Sequence, residues 1–351
     1  MTTPQGLTAA ATFENLLAGK ILLDTGRVPL PGDASDRVTQ LAAVAAQDAM
    51  DDAAWLPAEV TGPRTALVVG TSKGPIERWV RNPSGGAVGS LFGLSEVGSD
   101  VIALLRISPH TRLTFSGACA SSLHALIRAQ ALIERDQCDR VLVLAAESSI
   151  SDFFHATFQR LGVLAPPGYG CRPFDRDRRG FTLSEAAAAV CLEHRPRGAG
   201  IAIERSMMLA DAHHLTATDP DATALRYLLR HLSGTNAIDV VHAHGTGTAL
   251  NDPAELSAID TLTDQHPPAV YSHKAALGHT QGAAGLLSIA INVCIHRGHL
   301  IPPNAATRNP LQTRSANVRA TPSVHTCGSS IAVAAGFGGP VGGVSMVCIG
   351  G

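Results

Sequence analysis

"TFSGACASSLHALI", Thr114 to Ile127, passes from an extended run into a helix around a single cysteine, Cys119, set among small residues. Ahead of Gly117 the run "TRLTF" reads as a strand, and beyond it Leu123, Leu126, Ile127 and Ile133 fall on one face of a helix. Cys119 therefore sits near a helix N-terminus. Unpaired N–H groups and the helix dipole favour an anion there, which predicts a thiol pKa lowered by about one unit or more. Ser116, Gly117, Ala118, Ala120 and Ser121 leave room for a carbonyl to approach the sulfur. Taken alone, the residue reads more readily as a small buried hydrophobe, because free cysteine is among the most buried residue types.

The same alternation extends outward in both directions. "TALVVG", "DRVLVLAAE", "IAIE", "DVVHAH" and "SSIAVAAGF" are short Val-, Leu-, Ile- and Ala-rich runs that suit strands buried on both faces. Between them "RVTQLAAVAAQDAMDD", "SSLHALIRAQALIERD", "DATALRYLLRHL" and "AAGLLSIAINVCIHRG" carry apolar residues at helical spacing. Alternating strands and helices imply parallel sheets covered by helices, an α/β fold. The polar, glycine-bearing stretch "EHRPRGAG", Glu193 to Gly200, is the best internal boundary and divides the chain into halves 1–195 and 196–351.

With 351 residues, 45% of them hydrophobic, the chain can bury a large core. A net charge of -2 and 16% charged residues give no footprint for a nucleic-acid backbone, so a small or neutral substrate fits better. Seven cysteines without a CxxC pair argue against a disulfide framework or a four-cysteine zinc site and point to a reducing cytoplasm. No signal peptide is read at the N-terminus. The charge-free tail from Ser329 contains "GFGGPVGG", which fits loops between buried strands better than a membrane-spanning helix.

Two further stretches bear on Cys119. "VVHAHGTGTALNDPAE" carries His244 at a strand's C-terminal end, where α/β proteins place their sites, and then a helix that Asp252, Pro253 and Glu255 open as a capping box. "HKAALGHTQGAAGLLSIAI" presents Lys274 and His279 in a loop of small residues before another helix. Together these supply a nucleophile, two imidazoles and a lysine to bias their charge. His242 and His244 share a strand face, but no third residue at a suggestive spacing completes a metal site.

"GACASSLHAL", "HGTGTALND" and "KAALGHTQGAAG", with "CRPFDRDRRGF" and "GFGG" in the same order, resemble the motifs of the beta-ketoacyl synthases, condensing enzymes of the thiolase-fold superfamily. The two-histidine set resembles the elongating members. The resemblance implies a layered αβαβα architecture from two similar halves. It implies that Cys119 takes an acyl group from a carrier thioester, and that His244 and His279 stabilise the enolate left when a malonyl-type thioester loses carbon dioxide. Backbone N–H groups of Cys119 and Phe337 would form an oxyanion hole, with Gly336 and Gly338 permitting the approach. Thr246 and Thr248 would touch a phosphopantetheine arm, Phe337 would gate the acyl pocket, Lys274 would bias His279, and Glu255 would anchor the loop. An ordinary loop, a core phenylalanine, a surface lysine and a helix cap are the plain alternatives for these residues. No resident cofactor or metal is implied. The implied partners are an acyl carrier protein and a second subunit, in a homodimer or in a heterodimer with a related synthase.

The chain also departs from that pattern. Met1 falls almost on the turn that follows the family's first strand, so a central strand of the first sheet is expected to be absent, leaving edges exposed in mid-sheet. Val333 and Val341 stand where asparagines are usual, Ser184, Ala186 and Ala188 where glycines are, and Ser288 where a glutamate is, while Glu185 is retained. Added side chains near Glu185 are expected to narrow the site. The region from Asn82 to Gly98 is compressed. These departures keep two alternatives open: a noncatalytic partner of the chain-length-factor kind, and a non-condensing acyltransferase or thioesterase that uses Cys119.

Overall fold

The computed structural model describes residues 1–30, 37–81, 93–194, 200–235, 237–262, 267–324 and 328–350. The junction at 195–199 and most of the compressed region, 82–92, lie outside the described residues. In the first half the elements are α1 (Ala9–Leu17), α2 (Arg37–Asp52), β1 (Gly62–Gly70), α3 (Ile76–Arg81), α4 (Glu96–Leu105), β2 (Pro109–Phe115), α5 (Ser121–Glu134), β3 (Arg140–Glu147), α6 (Asp152–Arg160) and β4 (Ala186–Glu193). The second half contributes β5 (Gly200–Ala210), α7 (Thr223–Ser233), β6 (Val240–His242), α8 (Asn251–Ile259), β7 (Ala269–Tyr271), α9 (Lys274–Leu277) and α10 (Ala284–Gly298). It ends with β8 (Leu300–Ile301), β9 (Asn317–Val318), β10 (Ser323–Val324), β11 (Ser329–Ala335) and β12 (Pro340–Ile349).

The first sheet runs β2-β1-β3-β4 and the second β5-β12-β11-β6-β7-β9. Within the first, β1 is parallel to β2 and β3, and β4 is antiparallel to β3. The second repeats this pattern: β6 is parallel to β7 and β11, and β12 is antiparallel to β11. Matching order and direction make β1 the counterpart of β6, and β2 the counterpart of β7. The helices that follow β2 and β7, α5 and α10, are counterparts too.

Those two helices touch each other and strands of both sheets, forming the middle layer, while α2 and α4 cover the outer face of the first sheet and α7 and α8 lie beyond the second. Burial on all sides explains the composition of the central strands. All of β3 from Val141 onward is buried, as its apolar run requires, and within that buried stretch only the last residue, Glu147, is charged. Leu123 and Leu126 of α5 join Leu286 and Leu287 of α10 in the core between the sheets. Truncating any one of them to alanine would cost about 2–5 kcal/mol.

The expected gap in mid-sheet does not occur. The first sheet is continuous, and β4 is its edge. Thr2 makes an antiparallel bridge to Ala187, exchanging two backbone hydrogen bonds of 2.8 and 2.9 Å. In the second sheet the equivalent flank of β12 is covered along its length by β5. The slot beside β4 is thus a flanking one, and the pairing of β1, β2 and β3 does not depend on it.

Candidate active site

Cys119 occupies a tight turn between β2 and α5, closed by a 2.9 Å bond from Ala120 N–H to the Gly117 carbonyl. Ala118 has φ +48°, a left-handed conformation that a non-glycine residue adopts at a cost of about 1 kcal/mol or more. Ser121 holds the turn by donating to the Ala118 carbonyl at 2.6 Å and accepting from Gly117 N–H at 2.9 Å. The Cys119 sulfur lies 3.2 Å from His279 Nε2.

His279 comes from the loop after β7. Its N–H donates to Thr182 O at 2.8 Å, and its ring stands edge-on to Phe181 at 4.8 Å. The His244 ring is 5.5 Å from that of His279 and nearly perpendicular to it, at 82°. His244 follows β6, and Glu255 accepts from the N–H groups of both His244 and Gly245. Lys274 Nζ donates to the His244 carbonyl. The structure therefore gathers Cys119 from the turn before α5, His244 from the loop after β6, Glu255 from α8, and Lys274 and His279 from the segment after β7.

The expected capping box is not formed. The helix begins after Leu250 without a side-chain cap, and Asp252 instead accepts from Phe174 N–H at 2.7 Å and Gly247 N–H at 3.1 Å. The amides of Phe174 and Gly247 are buried in the loops and take the carboxylate as their acceptor.

Burial governs the charges. It holds His244 and His279 well below the ordinary imidazole range, and Lys274 pushes both further down, so the rings are neutral. Burial also lowers Lys274, against the opposing pull of Glu255, and raises Glu255 to about 7. The Cys119 thiol is likewise pushed up by burial, while Lys73 and Lys274 pull it down. The lowered pKa expected from the helix terminus is thus overtaken by desolvation, which the sequence does not display.

Neither His244 Nδ1 nor His279 Nδ1 has a hydrogen-bond partner among the described residues. A buried ring nitrogen without a partner is less costly as a bare lone pair than as a stranded N–H, so the proton belongs on Nε2 in both rings. For His279, that N–H points at the sulfur.

These groups open into a cavity of about 330 Å³, lined also by Thr246, Thr248, Phe181, Gly336, Phe337 and Val341. The hydroxyls of Thr246 and Thr248 are 2.9 Å apart. Phe337 is half-exposed and faces Phe158 at 6.5 Å. Gly336 packs so closely on the cysteine turn that a Cβ there would lie 3.0 Å from Cys119 N, while Gly338, at φ +87°, has open space around it.

Residues 24–197 match the family described as "Beta-ketoacyl synthase, N-terminal domain", and residues 201–308 its "C-terminal domain". The tetracenomycin polyketide synthase ketoacyl synthase alpha subunit of Streptomyces glaucescens is 30% identical over 337 residues, covering 86% of this chain and 79% of that relative. The chain belongs to the beta-ketoacyl synthase family. The 3-oxoacyl-[acyl-carrier-protein] synthase 2 of Mycobacterium leprae is 31% identical over 270 residues, or 70% of this chain, and the match spans 64% of that relative's length. A type II polyketide ketosynthase solved in complex with its acyl-carrier protein superposes with a TM-score of 0.85 at 21% identity, covering 99% of this chain and 97% of that one. The synthase fold is therefore present in both halves.

Several departures from the family's motifs can now be placed in this chain. Ser184 packs beneath Gly26 and Gly278, and Ala186 and Ala188 lie in the strand core. None of the three lines the cavity, so the expected narrowing does not arise from them. Ser288 bonds Ala284 O within its own helix. Val333 and Val341 join the apolar cluster of the second sheet. His242 bonds His273 at 2.8 Å and Asn292 at 2.9 Å, and no group of three metal-ligating side chains is assembled among the described residues. No described helix is long and apolar enough to cross a membrane.

The sequence reading missed His273, Lys73, Glu147 and Gln281 around the site. A signal for Lys73 was available: "TSKG", Thr71–Gly74, follows a buried strand as "AHGT" does in the second half. Nothing in the local pattern marks the other three, because their contacts span tens to hundreds of residues.

Proposed function

We propose that this chain is a decarboxylating condensing enzyme that forms an acyl thioester on Cys119 and extends it with a malonyl-type thioester carried on phosphopantetheine. The observation that carries this reading is the single cavity onto which the Cys119 sulfur, the neutral His279 ring 3.2 Å away and the neutral His244 ring all open. In the first step the Cys119 thiolate attacks the carrier thioester. The new S–C bond forms as the carrier's C–S bond breaks, and the carrier thiolate leaves. Backbone N–H groups of Cys119 and Phe337 hold the oxyanion, each donor being worth about 3 kcal/mol.

In the second step the malonyl carboxylate leaves as carbon dioxide, and its electron pair passes into an enolate. Nε2–H of His244 and of His279 donate to the enolate oxygen. The enolate carbon then attacks the acyl–Cys119 carbonyl, expelling the Cys119 thiolate and releasing a beta-ketoacyl thioester on the carrier. One proton per turnover comes from solvent and goes to the departing carrier thiolate, which leaves as the thiol, while condensation returns Cys119 as the thiolate. Neutral rings with Nε2–H directed inward suit donation better than proton abstraction, which supports this assignment.

In this reading Thr246 and Thr248, which line the cavity, hydrogen-bond the phosphopantetheine arm, and Phe337 covers the acyl chain. Lys274 fixes the His244 carbonyl and Glu255 the adjoining amides. We infer that the substrates arrive on an acyl carrier protein, without a resident cofactor, and that a second subunit completes the enzyme as a homodimer or as a heterodimer with a related synthase. The relatives named for acyl-carrier-protein substrates and as an alpha subunit support these partners. A reducing cytoplasm suits a catalytic thiol. A noncatalytic partner would have no use for a thiol and two inward N–H donors on one cavity.

The test is intact-protein mass after exposure to acyl and malonyl thioesters, with Cys119→Ala as control. A stoichiometric adduct lost in the variant, followed by carbon dioxide release with the malonyl thioester, is expected. No adduct in folded protein overturns the reading.

A further inference from the structure

Topological equivalence of the halves singles out one unassigned residue. The loop after β6 delivers His244, and its counterpart after β1 delivers Ser72 and Lys73. That loop is tied to the cysteine turn, since Thr71 N–H donates to Phe115 O at 3.1 Å and Ser116 Oγ to Ser72 O at 3.4 Å. Lys73 Nζ donates to Ser72 Oγ at 2.8 Å and to Gln281 Oε1, and lies 5.0 Å over the Phe154 ring. Gln281 stands two residues beyond His279, is fully buried, and has φ +49°, a strained conformation that needs an external hold. Lys73 provides one.

We propose that Lys73 is a positioning residue for the acylation step: braced between Ser72 and Gln281, its ammonium favours the Cys119 thiolate from the side of the first half. Lys274 does the same from the second half. This inference rests on the reading of Cys119 as the nucleophile.

The charged groups that act on the sulfur are Lys73 from the β1 loop, Lys274 from α9 and Glu147 from the end of β3, and the neutral ring of His279 touches it. Lys73 exerts the strongest pull toward the thiolate among the charged side chains, and Glu147 pushes the other way. Glu147 is itself bound by Ser72 N–H at 2.8 Å and by Ser149 Oγ at 2.7 Å. Lys274 is further engaged by Glu255 and Asp252, carboxylates of its own half.

The experiment is the pH dependence of Cys119 alkylation by iodoacetamide, read by peptide mapping so that the other thiols do not contribute. Lys73→Met is expected to raise the alkylation midpoint by about half a unit to one unit, slowing the reaction about 3- to 10-fold at pH 7. Lys73→Arg is expected to restore it. If Lys73→Met does not fold, Glu147→Gln supplies the reverse test, and its midpoint should fall. An unchanged midpoint in a folded Lys73→Met or in Glu147→Gln overturns the proposal. Because alkylation needs no acyl substrate, a midpoint shift in a protein that forms no acyl adduct would uphold the electrostatic role of Lys73 while removing the nucleophile reading. An adduct with no shift would do the opposite.

Discussion

Replacing Gly336 by alanine tests the geometry of the site more sharply than removing the sulfur does. A Cβ at position 336 would stand 3.0 Å from Ala118 Cβ, from Cys119 N and from Gly117 O, where ordinary contact begins at 3.4 Å. Two of these neighbours are backbone atoms in a turn already strained at Ala118, so relief must come from the two loops parting by about 0.4 Å or more. That movement separates Cys119 N–H from Phe337 N–H, the proposed oxyanion donors. Misplacement on this scale is expected to slow acylation about 10- to 100-fold, against the 10²- to 10³-fold typical of losing one donor outright. The assay is quenched-flow acylation followed by intact mass, alongside iodoacetamide alkylation of the same thiol. Alkylation develops no oxyanion, so its rate should stay within about threefold. Unchanged acylation in folded Gly336→Ala, or an equal fall in both reactions, would refute the oxyanion assignment.

Lys274→Met should destabilise the protein by about 1–3 kcal/mol in urea unfolding, because it leaves the buried His244 carbonyl without its Lys274 donor. Stability should also fall in mild acid. His242, held down to about 3, and His244, His273 and His279, held well below the ordinary value, stay neutral when folded, whereas the unfolded chain protonates them below about 6.5. Their contribution is therefore full above that pH and lost below it, at roughly 1.4 kcal/mol each between pH 7.5 and 5.5. A flat urea midpoint across that range would contradict this. Thr246→Val is expected to raise KM for carrier-bound thioesters several-fold while leaving iodoacetamide alkylation of Cys119 unchanged, because it removes the hydroxyl that bonds Thr248 and the arm and no group that touches the sulfur.

Much of the site was legible because its chemistry sits at strand ends. His244 and His279 each follow a buried strand and Cys119 a largely half-buried one, all three precede a helix, and a strand-to-helix turn is a pattern within a dozen residues. Lys274 and Glu255 could be named but not paired, since the contact between Lys274 and the His244 carbonyl joins two loops that only the parallel pairing of β6 and β7 brings together. The capping box was misread for a related reason. Local spacing suited a cap, but the buried amides of Gly247 and Phe174 had stronger need of the Asp252 carboxylate. The flanking strand was placed in mid-sheet because strand order is a property of pairing partners, and alternation along the chain does not encode it.

The amino-acid sequence by itself determined the fold class, the order of strands and helices along the chain, and the identity of the reactive groups. All of these follow from side-chain type and short-range periodicity. Tertiary structure alone decided the balance of charge at the sulfur. Burial raises the Cys119 thiol where the helix terminus by itself predicted a fall, and a lysine from an overlooked loop opposes that rise. Desolvation and Coulomb energy depend on distance and on what excludes water, and both arise only when residues far apart in sequence are packed together.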